Sequence, residues 1–203
     1  RDFADLRRGR INEFIDSITR PLAKRYIAVS HSLRREMVEK GMSPSKIVTI
    51  HNAIYLNGSG SSNKDVKPIK DIRDEYKIPE NAFLIVLVAL LRPRKGADVL
   101  INAMKYVLRE FPQTCLVIVG NDDMSEDPDY GTKLRSLISK LAIERNVIFT
   151  GFRDDVQSIL QEADMMALPS RFGEGLPMVI LEAMAAGVPV VASNIDGIPE
   201  VIE

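Results

Sequence analysis

The sequence contains one cysteine, no tryptophan and few aromatic residues, which make up 6% of its 203 residues. A single cysteine cannot form an internal disulfide, so an apolar core must stabilise the fold, and 45% of the residues are hydrophobic. Cys115 lies within an apolar run and is predicted to be a packed thiol rather than a nucleophile. A reducing compartment, the cytoplasm, is the expected location.

Charge of one sign is also lacking. The 27 basic and 28 acidic residues leave a formal net charge of −1, which argues against nucleic acid as a main partner. The longest apolar run extends from Phe83 to Leu91, well short of the ~20 residues of a membrane span. No signal-peptide pattern is present. These absences favour an ordinary globular domain.

The chain is predicted to contain two regions joined by a linker. Residues 1–52 combine a helix over 3–19, a strand over 26–29, a helix capped by Ser30 or Ser32, and a strand over 47–51, too few elements to close a sheet. Residues 53–64 have the glycine and serine content of a linker or mobile loop. Since the chain lacks an initiator Met and stops where a helix begins, we expect a piece of a longer protein.

Residues 65–203 are predicted to form a doubly wound α/β domain of the Rossmann-like type. Apolar runs alternate with helical patterns, the runs lying at 83–91, 115–119, 147–149, 165–168 and 188–192. Runs without polar alternation are typical of parallel strands covered on both faces. In such sheets ligands bind beyond the carboxyl ends of the strands, so the residues after each run are the candidate site.

The stretch after the fourth run combines a helix start with two carboxylates. Pro177 suits the first helical position and Gly187 the position just past the last turn. The amino end of this helix favours an anion, whereas Glu174 and Glu182 favour hydroxyl donors. A nucleotide sugar has both. In the alternative interpretation, Glu174 caps helix amides and Glu182 is a surface residue.

Cations follow the first run, in the segment Arg92-Pro93-Arg94-Lys95-Gly96. They suit a diphosphate, although a solvated basic loop has the same composition. The glycine fingerprints of dinucleotide-binding and phosphate-binding loops are missing. After the third run, Phe152 is placed to lie against a planar base, or else belongs to the core. The acidic loop after the second run does not match a calcium loop, and we predict no metal site.

These residues resemble a known family, the retaining family 4 glycosyltransferases of the two-domain GT-B architecture. The segment from Glu174 to Ser193 carries the family's Glu-x7-Glu signature, with Glu182 as the second acid. Supporting segments in the family's order are Ile27–Ser30, Ile50–Ala53, Arg94–Gly96, Thr150–Phe152, Ala163–Ser170 and Gly197–Val201. The resemblance covers nearly the whole chain. It implies that the chain is the C-terminal, donor-binding half of such an enzyme.

The resemblance also implies roles for individual residues. Glu182 would bond the ribose hydroxyls, Glu174 the donor sugar, and Lys95 the diphosphate. The catalytic residues would be Lys95, Arg92 and Glu174. Arg92 would replace an arginine that the family usually has where this chain has Leu90. Further donor-binding positions are Gly175, Leu176, Met178 and Val179 around the helix start, and the main chain of Phe152 and Arg153 for the base.

The implied reaction is transfer of a sugar from a nucleotide-diphosphate sugar with retention at the anomeric carbon, without metal or cofactor. A missing N-terminal domain would supply the acceptor site and any peripheral association with the inner face of a membrane. The acceptor would be a sugar, a lipid-linked sugar or a small molecule. This chain alone is then expected to be inactive. A nucleotide-sugar epimerase and a non-catalytic nucleotide-sugar-binding module remain alternatives.

Overall fold

The computed structural model describes residues 22–54, 71–122 and 125–202. The predicted helix over 3–19 and most of the predicted linker over 53–64 lie outside these residues. The chain divides into two compact units, residues 1–52 and 53–203. Assignment of the first unit to the tail of a larger domain stays a prediction.

The first unit contains two parallel strands connected through a helix. Its elements are β1 (Tyr26–Ala28), α1 (His31–Glu39) and β2 (Ile47–Thr49). Tyr26 lies opposite Ile47 in the ladder. Of the two candidate serines, Ser30 caps α1, because its hydroxyl accepts a hydrogen bond from the amide of Leu33 at 3.0 Å.

The second unit is an α/β domain whose five strands coincide with the five apolar runs. The strands are β3 (Leu84–Val88), β4 (Cys115–Val119), β5 (Val147–Gly151), β6 (Met165–Leu168) and β7 (Val190–Ala192). The helices are α2 (Ile72–Tyr76), α3 (Ala97–Glu110), α4 (Tyr130–Leu141), α5 (Val156–Glu162) and α6 (Met178–Ala185). None of the helices in the described part of the chain has both the length and the apolar character needed to cross a membrane.

The strand order β5-β4-β3-β6-β7 positions the candidate site. All neighbouring pairs are parallel, which confirms the predicted doubly wound sheet. The chain builds outward from β3 through β4 to β5, and then crosses to the other side of β3. At such a reversal the connections after the two central strands lead to opposite faces of the sheet, and ligands bind in the crevice outside the strand ends. The predicted segments 92–96 and 170–178 follow β3 and β6 and therefore lie at this crevice.

The core lies at the centre of the sheet. All five residues of β4 are buried, as are the first four of β3. From α3, the side chains of Ile101 and Met104 pack into the core with no exposed surface. A strand covered on both faces buries both sets of its alternating side chains, which is why these strands read as continuous apolar runs.

Cys115 provides a test of this packing. It lies at the start of β4 and is 6% exposed. Burial raises the pKa of its thiol to about 11, and the charge of Arg73 offsets only part of that rise. Because the thiolate is the reactive form, we expect slow reaction with a chromogenic disulfide reagent at neutral pH and rapid reaction after unfolding in urea. Rapid stoichiometric reaction of the native protein would contradict this packing, and Cys115→Ala provides the blank.

Candidate functional site

Lys95 lies in the connection between β3 and α3, at the end of a 3-10 turn (Pro93–Lys95). Gly96 follows in a left-handed conformation (φ +71°), and α3 begins at the next residue. A Cβ atom at Gly96 would lie 2.0 Å from the carbonyl oxygen of Pro169, so a side chain is excluded there. The glycine therefore lets the Lys95 connection pack directly on the backbone that follows β6.

Three hydrogen bonds join the Lys95 connection to the connection after β6. The amide of Arg171 donates to the carbonyl oxygen of Arg94 at 2.8 Å. The guanidinium of Arg94 donates to the carbonyl oxygen of Gly173 at 3.0 Å, and that of Arg171 donates to the carbonyl oxygen of Pro93 at 2.7 Å. The two connections thus form one continuous wall of the crevice.

Glu174 lies at the centre of this wall and is only 5% exposed. Its Oε1 atom accepts hydrogen bonds from Lys95 Nζ at 2.5 Å and from the Ser170 hydroxyl at 2.6 Å. Its own amide donates to Asp196 Oδ2 at 2.9 Å. The structure therefore brings two predicted catalytic residues, Lys95 and Glu174, into direct contact.

The start of α6 differs in one respect from the sequence prediction. Pro177 is the residue preceding the helix, with extended backbone (φ −66°, ψ 122°), rather than its first helical residue. Pro177 itself provides no side-chain cap. The hydrogen bonds that the structure describes for the Glu174 carboxylate come from Lys95 and Ser170, so capping of the helix amides by Glu174 stays an alternative. Gly187 lies just past the helix with φ +75°, as predicted. The first turn of α6 has backbone amides that no carbonyl of the helix itself can satisfy.

The other predicted donor-binding positions flank this helix start. Leu176 is buried, Gly175 and Val179 are half-buried, and Met178 is exposed. Glu182 is half-buried and lies one turn after Met178, on the same side of α6. The following residue, Ala183, is fully buried in the core. The ligand roles of these residues stay predictions.

Arg92 makes a different contact from the one that its predicted role suggests. Its Nη1 atom lies 3.3 Å from Glu126 Oε1, and its Nε atom is buried without a hydrogen-bond partner among the described residues. Leu90, at the family's arginine position, is 40% exposed. Arg94 is the arginine that lies near Glu174, with Nη1 3.8 Å from Oε1. The sequence reasoning gave Arg94 no individual role.

The connection after β5 begins at Gly151, in a left-handed conformation (φ +72°). Phe152 is 72% exposed, so the alternative that placed it in the core is wrong. The guanidinium of Arg153 is bound by two carboxylates, those of Asp155 and Glu75. The main chain of these residues stays the predicted contact for a base.

A second polar cluster supports the crevice and was not predicted. Asp98, in the first turn of α3, accepts hydrogen bonds from the Tyr130 hydroxyl at 2.8 Å and from Arg171 Nη2 at 2.6 Å. Burial opposes ionisation of Asp98, but the bonds from Arg171 and Tyr130 outweigh it and lower the pKa of the carboxyl. Burial and the bond to Asp98 raise the pKa of Tyr130. The partners lie 32 and 73 residues away in sequence, so no local pattern indicates the cluster.

Comparison with solved structures defines the class of fold. Anabaena HepE, solved in complex with UDP and glucose, is 28% identical with a TM-score of 0.79 over 92% of this chain and 49% of that chain. Sucrose-phosphate synthase from Thermosynechococcus elongatus shares the fold, with a TM-score of 0.72 at 23% identity over 94% of this chain and 46% of that chain. The five-stranded unit is thus one Rossmann-like half of a GT-B architecture.

Sequence comparison then gives the family. The family model described as glycosyl transferases group 1 matches residues 68–203. N-acetyl-alpha-D-glucosaminyl L-malate synthase of Bacillus anthracis is 31% identical over 176 residues, 87% of this chain and 43% of the relative. The putative glycosyltransferase YtcC of Bacillus subtilis is 36% identical over 182 residues, 86% of this chain and 44% of the relative.

The chain belongs to the group 1 glycosyl transferases, which confirms the resemblance found in the sequence. It spans less than half the length of these two relatives.

The polar cluster around Asp98 predicts a stability effect. Tyr130→Phe keeps the ring and removes a hydroxyl that donates to a carboxylate, so we expect the free energy of unfolding in urea to fall by about 1–2 kcal/mol. Tyr106→Phe is the matched control, because Tyr106 is 65% exposed on α3. Equal unfolding midpoints for the two variants would show that the hydrogen bond contributes no stability.

Proposed function

We propose that this chain is the donor-binding half of a retaining glycosyltransferase, which transfers a hexosyl group from a nucleoside diphosphate sugar to an acceptor. One observation carries the proposal: Lys95 and Glu174 meet at the carboxyl ends of β3 and β6, beside the first turn of α6. Membership of the glycosyl transferase family supports it, as does the likeness to HepE, whose structures hold UDP, glucose and UDP-glucose.

The cationic side of the crevice would hold the diphosphate. When the bond from the anomeric carbon to the β-phosphate oxygen breaks, its electron pair goes to the phosphate. Lys95, Arg92 and the amides of α6 would stabilise that growing charge. Lys95 already binds Glu174, so a phosphate oxygen would become an additional ligand of an ammonium that has three donors.

The two glutamates would bind hydroxyl groups of different parts of the donor. Glu174 is held in one orientation by Lys95, Ser170 and its own amide, so it presents a fixed acceptor to the hydroxyls of the sugar. Glu182, one turn into α6, would accept the hydrogen bonds of the ribose. This assignment explains why acidic residues stand in a site that otherwise favours anions.

The base would contact the main chain of Phe152 and Arg153. The names of two relatives give different donors: UDP-Gal for a galactosyltransferase from Escherichia coli, and GDP-mannose for a mannosyltransferase from Mycobacterium tuberculosis. The acceptor site and any association with a membrane surface would belong to a second domain. We therefore expect this chain to bind donor but to transfer little or no sugar alone, and measurable transfer by it would contradict that expectation.

Calorimetric titration with UDP, GDP and ADP tests the proposal directly. Glu182→Ala should make the binding free energy of the preferred nucleotide less favourable by about 1.5–3 kcal/mol, the contribution of a hydrogen bond to a charged group. The same variant should not affect a 2′,3′-dideoxy analogue, which lacks the hydroxyls. Glu110→Ala, at the opposite end of α3 from Lys95, is the control. Unchanged affinity in Glu182→Ala would make Glu182 a surface residue, and absence of nucleotide binding by the wild type would refute the proposal.

Lys95 should act on the phosphates and not on the nucleoside. We expect Lys95→Met to lower the affinity for UDP by about tenfold or more, as for loss of a charged hydrogen bond, and to leave the affinity for uridine unchanged. Lys105→Met, exposed on α3, is the control. Since Lys95→Met leaves Glu174 without its cation, the double variant Lys95→Met/Glu174→Gln separates lost stability from lost phosphate binding. Equal losses for UDP and uridine would contradict a phosphate role.

A further inference from the structure

The guanidinium of Arg153 is bound on two edges by carboxylates. Its Nε and Nη2 atoms donate to the two oxygens of Asp155 at 2.8 and 2.7 Å. Its Nη1 atom donates to both oxygens of Glu75, at 2.8 and 2.9 Å. The three side chains are between 16% and 26% exposed. All three guanidinium nitrogens are thus engaged, and the contact with Asp155 has the bidentate geometry that fixes orientation as well as distance.

Asp155 makes this contact although it stands at a helix-capping position. It immediately precedes α5, where an aspartate side chain usually accepts a hydrogen bond from the first amides of the helix. Here the Asp155 side chain makes no such bond, and its carboxylate binds Arg153 instead. The bond to Arg153 also lowers the pKa of Asp155. Asp155 therefore holds the Arg153 guanidinium in place and does not cap α5.

Glu75 brings in an anchor from outside the sheet. It lies on α2, 78 residues before Arg153. The same helix is fixed to the domain by Ile72, which has no exposed surface, and by Arg73, which donates to Ala82 O at 3.0 Å and to Asp164 Oδ2 at 3.2 Å. Glu75 is therefore a rigid point against which the connection after β5 is held.

That connection is also fixed where it leaves the sheet. The amide of Gly120, at the end of β4, donates to the carbonyl oxygen of Gly151 at 2.8 Å. Between this point and α5, the exposed ring of Phe152 and the backbone of Arg153 have Arg153's own side chain as their attachment. The pair with Glu75 therefore ties this main chain to α2, and the pair with Asp155 ties it to the start of α5.

We propose that Arg153, Glu75 and Asp155, together the loop clamp, are positioning residues that set the base preference of the donor site. The inference rests on the proposed function. A main chain recognises a base through hydrogen bonds from a few amide and carbonyl groups. The position of these groups therefore decides which base has donors and acceptors that match them. The clamp carries two negative charges and one positive charge, so it is a poor ligand for phosphate, and it includes Arg153, whose main chain is a proposed contact of the base.

The test is calorimetry of UDP, GDP and ADP, with inorganic pyrophosphate as the ligand that lacks a base. Glu75→Gln keeps the shape of the side chain and removes its charge. We expect the preferred nucleotide to bind about fivefold more weakly, as for loss of one hydrogen bond, and the preference among the three bases to narrow. Pyrophosphate affinity should stay unchanged. Glu80→Gln, exposed beyond the end of α2, is the control.

A second variant distinguishes positioning from general stabilisation. Arg153→Lys keeps the charge but cannot bind both carboxylates in the forked geometry, so its effect should match that of Glu75→Gln. The double variant should be no worse than either single one, because both remove the same interaction. Unchanged nucleotide preference in folded Glu75→Gln would overturn the clamp, as would an equal loss of pyrophosphate affinity. A wild type that binds no nucleotide would instead refute the proposed function beneath it.

Discussion

The ion pair between Lys95 and Glu174 is the interaction on which the candidate site depends. It joins the connections that leave two neighbouring strands, β3 and β6, and its carboxylate is almost entirely buried. A buried charge is tolerated only where it is paired and hydrogen-bonded, and here Lys95 and Ser170 meet that condition. Two further features bring these charges together. Backbone hydrogen bonds join the two connections, and Gly96, which has no side chain, lets them pack closely.

Much of the fold follows from local features of the sequence. The five strands were predictable because a strand covered on both faces must be apolar along its whole length, and β4 is the clearest case. The order of elements then placed segments 92–96 and 170–178 at one edge of the sheet, since the carboxyl ends of parallel strands lie together. This order and the resemblance both indicate Lys95 and Glu174 as site residues, although neither indicates the contact between them.

The remaining features depend on distances that no local pattern contains. Asp98 and Tyr130 belong to different helices, and a first-turn aspartate is ordinary in any helix. Arg92 and Arg94 are indistinguishable by composition, yet Arg92 contacts Glu126 and Arg94 lies near Glu174. The φ angle of Pro177 suits both the first helical residue and the residue before it. The preference of proline for the first helical position therefore placed the start of α6 one residue too early.

The pairing of charges at the crevice determines how it meets an anion. Four cations of its described connections lie beside three carboxylates: Arg92 contacts Glu126, Arg171 contacts Asp98, and both Lys95 and Arg94 face Glu174. One positive charge is therefore left in excess, and screening confines its influence to a Debye length, about 8 Å at physiological ionic strength. A diphosphate meets this excess charge at short range, where it also meets the donors that bind it.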